Sequence, residues 1–279
     1  MPVSKQHRIS FEFFPPKTPE GRKKLGVTRE KLSALAPDFF SVTYGAGGST
    51  RDNTRDIVFE GIDAGCDIAP HLSFGGDGET SILELLNSYK KKGIRRIVAL
   101  RGDLPSGFGK SQLVYANELV AFIQEHFPDH FDLMVAAYPE VHPEAESYAR
   151  DIHFLKTKLD AGASSAITQY FYNADAYKSF IDDCNKAGIT KPIYPGIMPI
   201  TNFANLQRFS RNCGAEIPRW LVQKLEHASD EDTLNFGIEL VTELSEKLLE
   251  AGAPGFHFYT LNQAEPTIQI CKNLGVTSA

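Results

Sequence analysis

The chain alternates between two kinds of segment, and that alternation limits its fold more than any single motif. Strand-like apolar runs fall near residues 8–14, 39–45, 67–74, 96–102, 132–138, 165–172, 192–198 and 255–261. Between and after them, helical periodicity appears near 18–35, 51–65, 79–92, 112–127, 144–162, 174–187, 202–211, 231–251 and 264–274. Strands that alternate with helices imply parallel pairing, because each helix carries the chain back across the sheet. Eight such units fill 279 residues at about 35 each, near the span of one βαβ unit. Glycines follow several helical stretches, as Gly65, Gly93, Gly162, Gly188 and Gly252, where a residue past the helix end takes a left-handed conformation. The pattern predicts an α/β fold: a (β/α)8 TIM barrel over residues 1–279, a single domain with an extra helical segment before the last strand. A doubly wound open sheet is the alternative architecture. No linker, low-complexity tract or second domain interrupts the sequence.

Composition narrows the class of partner. Net charge is −6 and the pI is near 5.8, which argues against a general nucleic-acid binder, so an anionic ligand needs a local basic pocket. No apolar run approaches the roughly 18 residues of a membrane span. The N-terminus lacks the apolar stretch of a signal peptide. Cys66, Cys184, Cys213 and Cys271 stand far apart, with no C-x-x-C spacing. That fits the reducing cytoplasm, and neither a disulfide framework nor a metal site is expected.

A barrel carries its active site on the loops at the C-terminal ends of its strands, and polar residues gather there. The first strand, Arg8-Ile-Ser-Phe-Glu-Phe-Phe14, sets Ile9, Phe11 and Phe13 on one face and Ser10, Glu12 and Phe14 on the other. A carboxylate thus sits among aromatic residues near a strand end. Burial raises the pKa of an unpaired carboxylate until it holds a proton near neutrality, which makes Glu12 a candidate general acid. A structural ion pair with Arg8 or Lys17 is the other reading. Later strands end in Thr43, His71, Arg101 and Asp103, Tyr138 and His142, Gln169, and Tyr259 and Asn262.

Each of these residues has two readings. The loop 45–50 can bring backbone N–H groups to a phosphate or serve as a flexible turn. Arg101 and Asp103 can pair with each other. Alternatively, Arg101 takes a phosphate and Asp103 accepts from a heterocycle. His71 and His142 belong to no metal-ligand cluster, and a satisfied core or rim histidine is the plainer reading of each. Gln169, in an apolar strand, needs amide partners from a ring or from backbone. Asp151 and Lys158 lie two turns apart on one helix face, fit to clamp a ribose and a diphosphate or simply to be solvated. Phe14, Tyr44, Tyr138, Phe171 and Phe209 can stack on a planar cofactor or pack a core. The basic cluster 90–96 reads as a solvated helix end, with a polyanion patch as the alternative. No Ser/His/Asp, Walker-type or H-E-x-x-H pattern occurs.

Seven stretches, Phe11-Glu-Phe-Phe-Pro-Pro-Lys17, Ser41-Val-Thr-Tyr-Gly-Ala46, Pro70-His-Leu72, Leu100-Arg-Gly-Asp103, Ala136-Ala-Tyr-Pro-Glu-Val-His142, Ala166-Ile-Thr-Gln169 and Phe256-His-Phe-Tyr-Thr-Leu-Asn262, run in order from residue 11 to residue 262. In them the chain resembles the methylenetetrahydrofolate reductases, in their short prokaryotic form without a C-terminal regulatory domain. The resemblance implies that NAD(P)H, more often NADH than NADPH, reduces bound FAD. The flavin then passes a hydride to 5,10-methylenetetrahydrofolate, giving 5-methyltetrahydrofolate for methionine synthesis. It implies that Glu12 is the general acid and that Asp103 lies beside the flavin. It places Thr43, Tyr44, Ala46, His71, Arg101, Gly102, Asp103, Ala116, Tyr138, His142, Asp151 and Lys158 along the FAD. Gln169, Phe209 and Gln263 fall toward the folate, and a cytoplasmic homo-oligomer is implied. Two positions depart from the pattern: Gln263 where well-known members have arginine, and Asn205 where some have glutamine. A flavin-free barrel lyase or hydrolase using Glu12 and Asp103 is the competing function, and a non-catalytic folate- or nucleotide-binding protein is another.

Overall fold

A computed structural model describes residues 7–44, 49–74, 78–101 and 115–276. Among them the elements run β1 (Arg8–Phe13), α1 (Pro19–Ser33), β2 (Phe39–Val42), α2 (Ser49–Asp63), β3 (Ile68–Leu72), α3 (Glu79–Lys91) and β4 (Arg96–Ala99). There follow α4 (Ala116–His126), β5 (Asp132–Ala137), α5 (Tyr148–Asp160), β6 (Ser165–Thr168) and α6 (Ala174–Lys186). The last third holds β7 (Ile193–Tyr194), β8 (Gly196–Ile197), α7 (Phe203–Cys213), α8 (Arg219–Leu225), α9 (Asp230–Glu250), β9 (Gly255–Tyr259) and α10 (Glu265–Asn273).

The pairings are parallel and the sheet order is β7-β6-β5-β4-β3-β2-β1-β9-β8. The two outermost strands of that order, β7 and β8, are consecutive pieces of one extended run, split at Pro195. Proline has no N–H to give a ladder, so the run breaks there. One piece pairs with β6 and the other with β9. The seventh strand therefore joins both ends of the sheet and closes it into the expected eight-unit barrel. Backbone contact at this closure is close: Gly196 N–H donates to Thr168 Oγ1 at 2.9 Å, and a Cβ on Gly196 would lie 2.1 Å from the Thr168 carbonyl oxygen.

Alternation along each strand divides the core in two. Ile9, Phe11, Phe13, Phe40, Val42 and Leu72 belong to the large cluster that includes the buried faces of the helices. Phe39, Ala69, Val98, Met134 and Ile167, one from each of β2 to β6, form a separate cluster inside the barrel. Two residues further along the chain from each stand Ser41, His71, Leu100, Ala136 and Gln169, the third and last just past the ends of β4 and β6. An apolar layer thus fills the barrel beneath a mostly polar one at the strands' C-terminal ends, where the site is expected.

The differences from the sequence reading are local. The strands stop short of their expected ends, most of all β2 at Val42, β4 at Ala99 and β6 at Thr168, so Arg101 lies beyond β4 and Gln169 beyond β6. Helix α5 begins at Tyr148 instead of near 144, because Ser147 caps it by accepting from Arg150 N–H. Seven-residue α8 was not anticipated, being too short for a 3.6-residue period to show. The four cysteines are free, and among the described residues no helix is long and apolar enough to cross a membrane.

Candidate active site

Glu12 lies between β2 and β9 in the sheet, opposite Ser41 on one side and Tyr259 on the other. Its side chain points into the barrel and is 15% exposed. Glu12 Oε2 lies 3.1 Å from His71 Nε2 and 3.2 Å from His257 Nε2, and it accepts a long hydrogen bond from Ser41 Oγ at 3.4 Å. His257 is fully buried, and its other ring nitrogen, Nδ1, meets Ser10 Oγ at 2.7 Å. If the Ser10 hydroxyl donates to Nδ1, the proton sits on Nε2 and points at the carboxylate, which satisfies all three groups. His71 approaches at ion-pair distance but without hydrogen-bond alignment, leaving its buried Nε2 the poorly satisfied member.

These neighbours overturn the expectation of a neutral Glu12. Burial pushes its carboxyl up, but the charge of His71, the hydrogen bond from His257, the close approach of His71 and the charge of His257 together outweigh that and hold it at about 2. The reason lies in the alternation: Phe11 and Phe13 point outward and are 0% and 1% exposed, so they do not surround Glu12. Its surroundings are polar. An ion pair with Arg8 does not form either, because Arg8 pairs with Asp38 at 3.4 Å.

A second cluster stands at the ends of β4 and β5. The Tyr138 and His142 rings pack edge to face, 4.5 Å between centroids. His142 N–H donates to Asp151 Oδ2 at 2.8 Å, and His142 Nδ1 accepts from Glu144 N–H at 3.0 Å. Arg101 is paired with Glu144, and that hydrogen bond, with the guanidinium charge, lowers the Glu144 carboxyl. Lys158 donates to the Ala136 carbonyl at 2.5 Å. Burial depresses its ammonium to about 8, with Asp151 opposing. Burial also lowers His142, which feels Asp151, Glu144, Arg101 and Lys158 together, so these five groups form one electrostatic unit.

The other candidates scatter around these two clusters. Thr43 N–H donates to Phe13 O at 2.9 Å, and its own carbonyl accepts from Thr54 Oγ1. Tyr44 is half-buried, as is Ala116, which opens α4. Gln169 shares a small crevice with Tyr138, Glu140, Tyr170 and Cys213, and its Oε1 accepts from Tyr170 N–H at 3.0 Å. Phe209 is half-buried on α7 beneath the Arg208 guanidinium, and Gln263 is exposed just after β9. Ala46, Gly102 and Asp103 lie outside the described residues.

The methylenetetrahydrofolate reductase family model matches residues 1–275. The chain belongs to that family. It is 43% identical over 278 residues to the 5,10-methylenetetrahydrofolate reductase of Escherichia coli (strain K12), covering 98% of this chain and 93% of that one. A probable NADH methylenetetrahydrofolate reductase of Oryza sativa subsp. japonica is 39% identical over 96% of this chain, which spans 48% of the plant protein. An uncharacterised protein from Clostridium thermocellum that binds two copies of 5-methyl-5,6,7,8-tetrahydrofolic acid shares the fold. Its TM-score is 0.71 at 20% identity, over 98% of this chain and 94% of its own.

As a methylenetetrahydrofolate reductase the chain is an oxidoreductase of one-carbon metabolism that reduces methylenetetrahydrofolate to methyltetrahydrofolate. Three residues of the two polar clusters, Ser10, His257 and Glu144, were not among the candidates read from the sequence. Ser10 and His257 carried a signal: each is a polar residue on the inward face of an otherwise apolar strand. Glu144 carried none, because only the fold of the segment after β5 brings it to Arg101.

Proposed function

We propose that the chain performs this reduction through FAD, with NADH rather than NADPH as donor, and that Glu12 delivers the proton that opens the folate ring. The observation that carries the reading is one carboxylate bracketed by two imidazoles inside the mouth of the barrel. The second cluster fits the diphosphate of a flavin dinucleotide. Lys158 is an ammonium disfavoured by burial whose hydrogen bond goes to a neutral carbonyl, so an adjacent phosphate relieves the penalty. Arg101 adds a guanidinium suited to bidentate contact. When bound, FAD supplies a reversible store for a hydride. The plant relative's NADH in name supports the donor. The four free cysteines support a cytoplasmic setting, and the family resemblance supports a homo-oligomer.

The proton follows from the cluster's charge state. Hydride can add to the methylene carbon only after N10 is protonated and its bond to that carbon breaks, leaving a cationic iminium at N5. One proton is therefore consumed per turnover. Without folate, Glu12 is ionised, held so by its two imidazole neighbours. Bound folate excludes water and makes the charged carboxylate costlier. That draws a proton from solvent onto Glu12 as folate binds, and Glu12 passes it on to N10, while His71 and His257 hold the carboxylate in place at 3.1 and 3.2 Å. An ionised Asp103 favours the cation electrostatically, while Gln169, Phe209 and Gln263 hold the folate.

Glu12→Gln keeps the side chain's size and removes the transferable proton. Methylenetetrahydrofolate reduction should fall by about 10²–10⁴-fold, the usual range for a general acid. Electron delivery from NADH to a quinone acceptor, which needs no proton on a folate nitrogen, should persist near the wild-type rate. Stopped-flow absorbance of both reactions decides, and equal slowing of the two sinks the general-acid role.

A further inference from the structure

The β1–β9 ladder ends in register at Glu12 and Tyr259. Beyond that point side chains continue it. Thr260 Oγ1 donates to the Glu12 carbonyl at 2.7 Å. Asn262 then bonds Phe14 in both directions: Phe14 N–H donates to Asn262 Oδ1 at 3.0 Å, and Asn262 Nδ2 donates to the Phe14 carbonyl at 2.8 Å. A backbone N–H can only donate and a carbonyl only accept, so the orientation of the Asn262 amide is unambiguous. The primary amide stands in for a strand peptide and lengthens the pairing by two residues.

The turn that presents it is strained. Leu261 and Asn262 both take positive φ, 51° and 57°, although neither is glycine. Asparagine tolerates this conformation, whereas leucine does so at a cost that only fixed surroundings sustain. Those surroundings are present: Asn262 N–H donates to Thr260 Oγ1 at 3.2 Å, Thr28 Oγ1 donates to the Asn262 carbonyl at 3.3 Å, and Gln263 N–H donates to Thr260 O at 2.9 Å. The turn therefore fixes three things relative to one another: the backbone of Glu12, the half-exposed Phe14 at the mouth, and Gln263.

We propose that Asn262 is a positioning residue for proton transfer to the folate, clamping the end of β1 so that Glu12 stays between its imidazoles and in register with the bound substrate. This rests on the reading of Glu12 as the proton donor. Without the clamp the end of β1 loses both bonds at residue 14, and the carboxylate is free to shift by a fraction of an ångström or more. Misplacement near 1 Å is enough to cost a proton-transfer step about 10²-fold. Transfer of a hydride from NADH to an acceptor other than folate uses none of these groups.

Asn262→Gly tests this, since glycine accepts the left-handed backbone and removes only the clamp. In the holoenzyme kcat for methylenetetrahydrofolate should fall about 10–100-fold, while NADH oxidation by a quinone changes less than about twofold. Asn262→Asp should show the same split, because its carboxylate can accept from Phe14 N–H but repels the Phe14 carbonyl. In a Glu12→Gln background, Asn262→Gly should add no further loss, since there is no proton left to position. A folate kcat within twofold of wild type for both single variants overturns the proposal. So does a parallel fall of the folate and quinone rates, the mark of a merely structural residue. If Glu12→Gln itself keeps folate reduction, the reading of Glu12 fails. If Glu12→Gln loses it and Asn262→Gly does not, the positioning role alone fails.

Discussion

One ammonium shows how the binding cluster is poised. Burial holds Lys158 at about 8 against an ordinary 10.5. In the unfolded chain it stays protonated up to about 10.5, so between pH 8 and 10.5 the unfolded state binds more protons and stability rises with pH. Below pH 8 both states are charged and the folded one carries the full penalty. Lys158→Met should therefore raise the apoprotein's stability at pH 7, on the order of 1–3 kcal/mol, and flatten its rise above pH 8. FAD should be retained less well by the same variant, and wild-type retention should weaken as pH passes 8. Melting curves of the apoprotein and flavin fluorescence on dilution check the two halves. A variant that melts lower at pH 7 would show that the hydrogen bond to Ala136 outweighs the buried charge.

At the scale of elements, the seventh strand depends on what it lacks. Gly196 passes so close to β6 that a Cβ would meet the Thr168 oxygen at 2.1 Å and the Tyr259 ring at 2.6 Å. Gly196→Ala should destabilise the fold by about 3 kcal/mol or more, the upper end of overpacking costs. Chemical denaturation measures it, and a loss under 1 kcal/mol would mean that β6 and β9 can move apart freely. The same element shows what could be read in advance. The alternation of strands and helices was legible because each period is repeated over many residues. The positions of the polar strand ends followed from it, including Glu12, His71 and Gln169. The chemistry of Glu12 was not legible. Its partner His257 lies 245 residues away, and its charge depends on which interior residues of β3 and β9 the closed barrel brings beside it. Identity of the acid was local information, while its ionisation was a property of the ring of strands.

The whole molecule is a closed ring with one irregular joint. Seven of its strands carry four to six residues each, while the split strand offers two-residue pieces on either side of Pro195. Short pieces with few ladder bonds open at low free energy. Amide hydrogen exchange should therefore be at least about tenfold faster over residues 193–197 than over β1 and β2, with uniform protection around the barrel as the contrary result. His257 sits against this joint, its N–H donating to the Pro195 carbonyl at 3.0 Å. Each local opening there loosens the strand that holds one of Glu12's two imidazoles. On the proposed reading of Glu12, warming should cost the enzyme its ability to protonate folate before it costs the enzyme its shape, with the joint that completes the barrel acting as the thermal fuse of that chemistry.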